Sequence, residues 1–257
     1  MAININYLKK GIKTKNPIFI EGLPGIGNVG KVSADFLIDE LKAEKIIEIT
    51  SDTFPNYVFV EQNNLVKLPK ISMYFKKVKN QDFLLMTGDI QPTDESASYA
   101  LTENILDILE KHGVKKIITL GGIGLNDIPK NPKVFCTGNS QDFIEEFRKI
   151  KASNKLYGIV GPIIGVTGLL LGMGAKKNMK AVALLAETYN HPLYIGLDGA
   201  KAILKTLALK YGFGISFKQL NMEIKELQNE LETIDQQVSE GMEKITKHRK
   251  KDLYYIG

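Results

Sequence analysis

The stretch "FIEGLPGIGNVGKVSADFL", residues 19–37, runs from an apolar β-type segment through a glycine-rich turn into a segment of helical period. Within it, Gly25-Ile26-Gly27-Asn28-Val29-Gly30 has the G-x-G-x-x-G spacing of a dinucleotide-binding turn, whose glycines let the backbone approach a pyrophosphate at a helix N-terminus. The same glycines serve equally well where a helix must pack close to a strand, or where the chain needs a positive φ. The stretch therefore specifies strand, turn and helix, and leaves two explanations for its glycines. Glu48 stands about 20 residues further on, where the fingerprint puts its ribose-binding carboxylate. It falls in the middle of "KIIEIT" (45–50) rather than at its end, and Gly22 and Pro24 lengthen the turn. Close packing is the commoner cause of such a pattern.

Working outward, short apolar runs alternate with segments of helical period, the pattern of a layered α/β domain. "PIFIEG" (17–22) reads as a strand, and 28–41 as a helix with Val29, Val32, Phe36, Leu37 and Leu41 on one face. "KIIEIT" follows as a strand, and "YVFVEQNNLVKLPKISMYFKK" reads as two β-rich runs around the turn residues Gln62-Asn63-Asn64. "FLLMTGD" (83–89) is a further strand. Thr93 then caps a helix that carries Asp94 and Glu95 in its first turn, runs to His112 and stops at Gly113. "KKIITLGG" (115–122), "KVFCTG" (133–138), "LYGIVG" (156–161) and "AVALLAET" (181–188) supply more strands. Helices are expected near 141–149, 168–175 and 198–211, which places about six core strands in a domain covering residues 1–213.

Beyond it the pattern changes. Leu220, Ile224, Leu227, Leu231, Ile234, Val238 and Ile245 recur at alternating steps of three and four, with Gly241 in the one empty slot. This is a heptad stripe flanked by polar Glu223, Glu230, Gln237 and Lys244, so 214–249 is expected to be a coiled-coil-like helix whose seam packs within the chain or between chains. The last stretch, 250–257, has neither cap nor period and is expected to be a mobile tail. It gathers Leu253, Tyr254, Tyr255 and Ile256 before Gly257, a concentration of large apolar groups that suits a docking peptide.

Composition narrows the class. With 44% hydrophobic and 25% charged residues over 257 positions the chain can bury a core without staples, which excludes global disorder. The single cysteine, Cys136, excludes an internal disulfide and a cysteine-cluster metal site; it reads as a small core residue. The N-terminus lacks a signal-like apolar region. The greasiest run (157–175) is broken by Pro162 and repeated glycines, so no membrane span is expected and the protein is expected in the cytoplasm. A net charge of +5 permits nucleic-acid binding, but the lysines are scattered and only "KITKHRKK" is dense, which reads as a solvated helix end; no nucleic-acid partner is expected.

Catalytic inventory is thin. Local sequence places none of His112, His191 and His248 beside a nucleophile. Glu21, Asp89 and Glu187 at strand ends, with Asp94 and Glu95, are the carboxylates a hydrolase or phosphorylase could use. Helix-start charge explains the last pair equally well, and a turn acceptor explains Glu187. Two further glycine clusters, "LGGIGLNDIP" (120–129) and "VGPIIGVTG" (160–168), also follow strands. All three clusters would then line one edge of the sheet, where open α/β folds hold ligands. No metal spacing is present and no cofactor is expected; Gly25, Gly27 and Gly30 are the weak cofactor candidates.

Three of these segments, "FIEGLPGIGNVGKVSADFLIDEL", "LGGIG" and "GVTGLLLGMGAKKNMKAVALLAETYNHP", occur in an order that resembles the archaeal branch of the proteasome assembly chaperone family, the group named after the second eukaryotic chaperone. The resemblance covers about residues 15–213. It implies a three-layer α/β/α sandwich like that of nucleoside phosphorylases and hydrolases, without an established catalytic constellation, and makes the glycine turn a fold signature. It also implies an ATP-independent homo-oligomer, tetramers among the candidate states, that engages proteasome α subunits through its C-terminal tail. The family's tail ends in a hydrophobic residue, tyrosine and any residue. Here Leu253-Tyr254-Tyr255 fits by type but Ile256 and Gly257 follow, so either Tyr255 enters with a shifted carboxylate or the tail binds elsewhere. The alternative is an enzyme, a nucleoside or nucleotide-binding hydrolase, phosphorylase or ligase, working at the glycine-lined edge.

Overall fold

A computed structural model describes residues 2–156 and 161–226 and divides the chain into two units, the first ending at Ile215 and the second beginning at Ser216. The strands of the first unit are β1 (Ile3–Tyr7), β2 (Ile18–Gly22), β3 (Glu44–Ser51), β4 (Phe59–Val60), β5 (Val66–Lys67), β6 (Ile71–Val78), β7 (Gln81–Gly88), β8 (Lys116–Leu125), β9 (Val134–Gly138) and β10 (Lys180–Tyr189). Its helices are α1 (Val29–Leu41), α2 (Glu95–Lys111), α3 (Gln141–Arg148), α4 (Gly165–Lys176) and α5 (Leu197–Tyr211). Eight strands form one sheet in the order β1-β3-β6-β7-β2-β8-β10-β9, and β4 pairs with β5 in a small hairpin at the expected asparagine turn.

The centre of the sheet, β7-β2-β8-β10, is parallel, and antiparallel strands flank it on both sides. Parallel strands buried on both faces need continuous apolar sequence. β2, β8 and β10 supply it, and alternation sends their side chains to opposite layers. Phe19, Ile117, Ala181, Ala183 and Leu185 join Leu101, Ile105, Val166 and Leu170 of α2 and α4 in one core. The intervening residues meet α1 and α5 on the other face, where a Cβ on Gly22 would run into Gly30 of α1 and one on Gly199 of α5 would lie 3.5 Å from Ala186 of β10. The result is the expected large sheet between helical layers.

Differences from the sequence reading have local causes. The buried face of α1 is Val29, Gly30, Ser33, Ala34, Leu37 and Ile38, whereas Val32, Phe36 and Leu41 are only half-buried. The helix lies so near the sheet that small residues occupy the contact. β1 went unread although "ININY" alternates apolar and polar residues; it is a short edge strand whose Ile3 and Ile5 are only half-buried against the core. Leu156 to Gly161 contains no strand among its described residues, and 157–160 lie outside them. The glycines 121, 122 and 124 sit inside β8 rather than in a turn after it.

The cap of α2 is Asp94, not Thr93: the Asp94 carboxylate accepts from the Ala97 N–H at 2.8 Å, and His112 closes the far end before Gly113 at φ +75°. Asp94→Ala is therefore expected to cost about 1 kcal/mol in denaturant unfolding, with Thr93→Ala near neutral. The reverse order would return the cap to Thr93.

Of the heptad residues, Leu220 and Ile224 fall in the described part of the second unit, on helical backbone over 218–226, and both are buried. Leu227, Leu231, Ile234, Val238 and Ile245, like the tail residues Leu253, Tyr254, Tyr255, Ile256 and Gly257, lie outside the described residues. Among the described residues no helix is long and apolar enough to cross a membrane.

Candidate functional site

The parallel strands β7, β2, β8 and β10 end at the same edge, and the chain opens a cavity of about 510 Å³ there. All three glycine clusters reach it: Gly25 from the turn after β2, Gly121, Gly122 and Gly124 from β8, and Gly161 and Gly165 from the approach to α4. Apolar side chains, among them Leu23, Ile26, Ile123 and Ile163, make up most of the remaining wall. Among the described residues its polar side chains are Gln91, Thr167 and Asn190.

Each glycine of the opening motif does something different. Gly25 is extended, at φ −163°, and a Cβ there would meet nothing within 4 Å. Gly27 has φ +59° inside a 3₁₀ turn over Ile26–Asn28, and a Cβ would approach Thr188 Oγ1 to 2.6 Å. Gly30 sits in the first turn of α1, where a Cβ would be driven into the carbonyl oxygen of Leu120 in β8. Two of the three are explained by packing and backbone conformation alone.

The rest of the nucleotide fingerprint is absent. The strand after α1, β3, is three places from β2 in the sheet, and Glu48 on it pairs with Lys70 at 2.6 Å and Lys45 at 3.1 Å, which hold its carboxylate below the usual range. A ribose at the β2–α1 turn has no acidic partner from that strand. Sequence alone could not separate these cases, because phosphate approach and helix packing both demand the same missing Cβ.

The other carboxylates sort by their partners. Asp94 is the α2 cap, Glu95 is exposed in its first turn, Asp89 accepts from the Lys70 N–H at 3.1 Å, and Glu187 accepts from the Lys133 N–H at 2.9 Å. His112 is the α2 C-cap, with its pKa lowered by burial, and His191 stacks on Tyr189 at 5.6 Å. His248 lies outside the described residues. Burial pushes the Cys136 thiol up to about 11, which suits an unreactive core side chain. Among the described residues, no group of three or more His, Cys, Asp and Glu is placed to hold a metal.

Glu21 stands apart. It lies in β2, next to its last residue, with 0% exposure, and among the described residues no cation pairs with it. Its Oε1 accepts from the Leu23 N–H at 2.9 Å and from Thr167 Oγ1–H at 3.2 Å, while Oε2 has no partner. Desolvation dominates those two bonds and raises its pKa to about 7. Thr119 is its register partner on β8, points to the same face, and also has an unpartnered buried hydroxyl. Thr167, the one side chain bonded to Glu21, lines the cavity. Gln91 braces the rim: its Nε2 donates to Pro24 O at 2.5 Å and its Oε1 accepts from the Val166 N–H at 3.0 Å, joining the glycine turn to the start of α4. Sequence reading named Glu21 but missed Thr119, Thr167 and Gln91, although Thr167 stands inside the quoted "GVTG" motif.

A parallel-centred sheet between two helical layers, with a glycine-walled cavity at its carboxyl edge, defines a three-layer α/β/α protein. Comparison with known proteins narrows this: the model of the PAC2 family matches residues 19–235, and the chain belongs to that family. Pyrococcus furiosus PbaB, described as an archaeal proteasome activator, is 32% identical, with 91% of this chain and 98% of PbaB covered at a TM-score of 0.84. PbaA of the same organism, described as an archaeal homolog of proteasome-assembly chaperone, shares the fold at 24% identity and a TM-score of 0.76, with 99% of each chain covered. An uncharacterized protein of Methanocaldococcus jannaschii is 27% identical over 95% of this chain and 93% of its own length.

Proposed function

We propose that this protein is an ATP-independent, proteasome assembly chaperone-like factor that works as a homo-oligomer and docks residues Leu253 to Gly257 on proteasome α subunits. The observation that carries the reading is the likeness to PbaB across nearly the whole of both chains, with membership of the PAC2 family beside it. The structural duties of Asp89, Asp94 and Glu187 favour a binding role over a catalytic one. The heptad stripe from Leu220 to Ile245 supplies a seam between copies. Several tails presented together would convert weak single contacts into useful avidity.

Native mass spectrometry of the full chain and of a chain ending at Lys251, each mixed with free α subunits and with the assembled twenty-S particle, tests this. The full chain is expected to be oligomeric and to bind, and the truncated chain to stay oligomeric without binding. Binding to free α subunits marks an assembly role; binding to the finished particle alone, with faster peptide hydrolysis, marks activation instead. A monomer, or a truncated chain that binds as well as the full one, overturns the proposal.

A further inference from the structure

We propose that the cavity at the carboxyl edge of the sheet is a binding site for a small uncharged ring compound carrying hydrogen-bond donors, which Thr167, backed by Glu21, receives. Its volume of about 510 Å³ is that of a small-molecule site rather than a packing void. Among the described residues, none of its lining side chains carries a formal charge. A charged ligand would lose its hydration there without gaining a counter-charge.

The start of α4 borders the cavity and would ordinarily favour an anion. Two features oppose that. The Val166 N–H is already taken by Gln91, and a buried carboxyl lies directly behind Thr167. Thr167 spends its proton on Glu21, so its oxygen offers only lone pairs, which calls for a donor on the ligand. Asn190, on the cavity wall just after β10, adds an amide that both donates and accepts.

Native folds rarely leave buried polar atoms unpaired. Here Glu21 Oε2 and Thr119 Oγ1, on register partners of adjacent strands, are both unpaired among the described residues, and Glu21 is joined to the cavity wall through Thr167. A buried carboxyl with unused hydrogen-bonding capacity, one side chain removed from a ligand-sized space, is the feature that sets this cavity apart from a packing void. The apolar walls suit the faces of a ring, and the polar groups address its edge.

Two matched pairs of probes at millimolar concentration, benzamide with benzoate and adenosine with adenosine monophosphate, together with inorganic phosphate, test the chemistry on the full chain by ligand-observed NMR. At least one uncharged probe is expected to bind, with its anionic partner and phosphate at least about tenfold weaker. Gly25→Leu, placed where a side chain meets open space and the backbone is extended, is expected to abolish binding while leaving the melting temperature unchanged. Thr167→Val is expected to weaken it about tenfold, the loss of one hydrogen bond. Preference for the anions, no binding by either uncharged probe, or binding indifferent to Gly25→Leu overturns the inference. None of these outcomes bears on proteasome docking, which is read separately.

Discussion

Gly30→Ala is expected to destabilise the protein by about 3 kcal/mol, although alanine is the better helix former by about 1 kcal/mol. The added methyl would collide with the Leu120 carbonyl oxygen of β8, and Leu23 O lies 3.3 Å away on the other side. Both obstacles are backbone atoms, one in β8 and one in the turn just after β2, so neither can swing aside as a side chain would. Gly22→Ala meets the same crossing from the strand side, against Gly30 O and, at 2.7 Å, the Ala34 side chain. Gly25→Ala is the control. Its site is open and extended, so the change is expected to be neutral or to stabilise by about 0.5 kcal/mol through the unfolded chain. Denaturant unfolding of the three variants reads the difference. If Gly25→Ala were the costly one and Gly30→Ala harmless, close packing would not be what the motif serves.

Glu21→Gln is expected to change the pH dependence of stability by about 3 kcal/mol. Burial raises the native pKa from 4.5 to about 7, so the folded state holds its proton more tightly than the unfolded chain does. The sign follows from that. Below the unfolded value both states are protonated and Glu21 costs nothing. Between it and about 7 the unfolded chain ionises first, and the stability contribution is lost as pH rises through the native value. Glutamine keeps an oxygen for the Leu23 and Thr167 bonds and does not titrate. Unfolding free energies measured near pH 4.5 and well above pH 7 are therefore expected to diverge, the variant gaining on the wild type at the higher pH. A constant difference between the two proteins would mean that Glu21 does not carry the proton.

Both predictions concern residues that the sequence displayed, yet it could not assign them. Gly30 and Gly25 are equivalent in the motif. They differ only because β8, some ninety residues later, passes under one and not the other. Glu21 looked like any strand-end carboxylate, no more distinctive than Asp89 or Glu187, until the sheet order placed Thr119 beside it and α4 brought Thr167 over it. The capping pair Thr93 and Asp94 was ambiguous for a smaller reason, since both residue types cap and only the turn geometry selects one.

What the sequence determined by itself was local: most strand and helix types from apolar period, and the hairpin from its asparagine turn. These follow from interactions between near neighbours, which periodicity and turn chemistry record directly. What only the tertiary structure decided was long-range: that β2 lies between β7 and β8 rather than beside β3, that a glycine faces a carbonyl instead of a phosphate, and that a carboxyl is buried without a counter-ion. Strand pairing and desolvation depend on residues distant in the chain, and no local pattern encodes which distant residue will arrive.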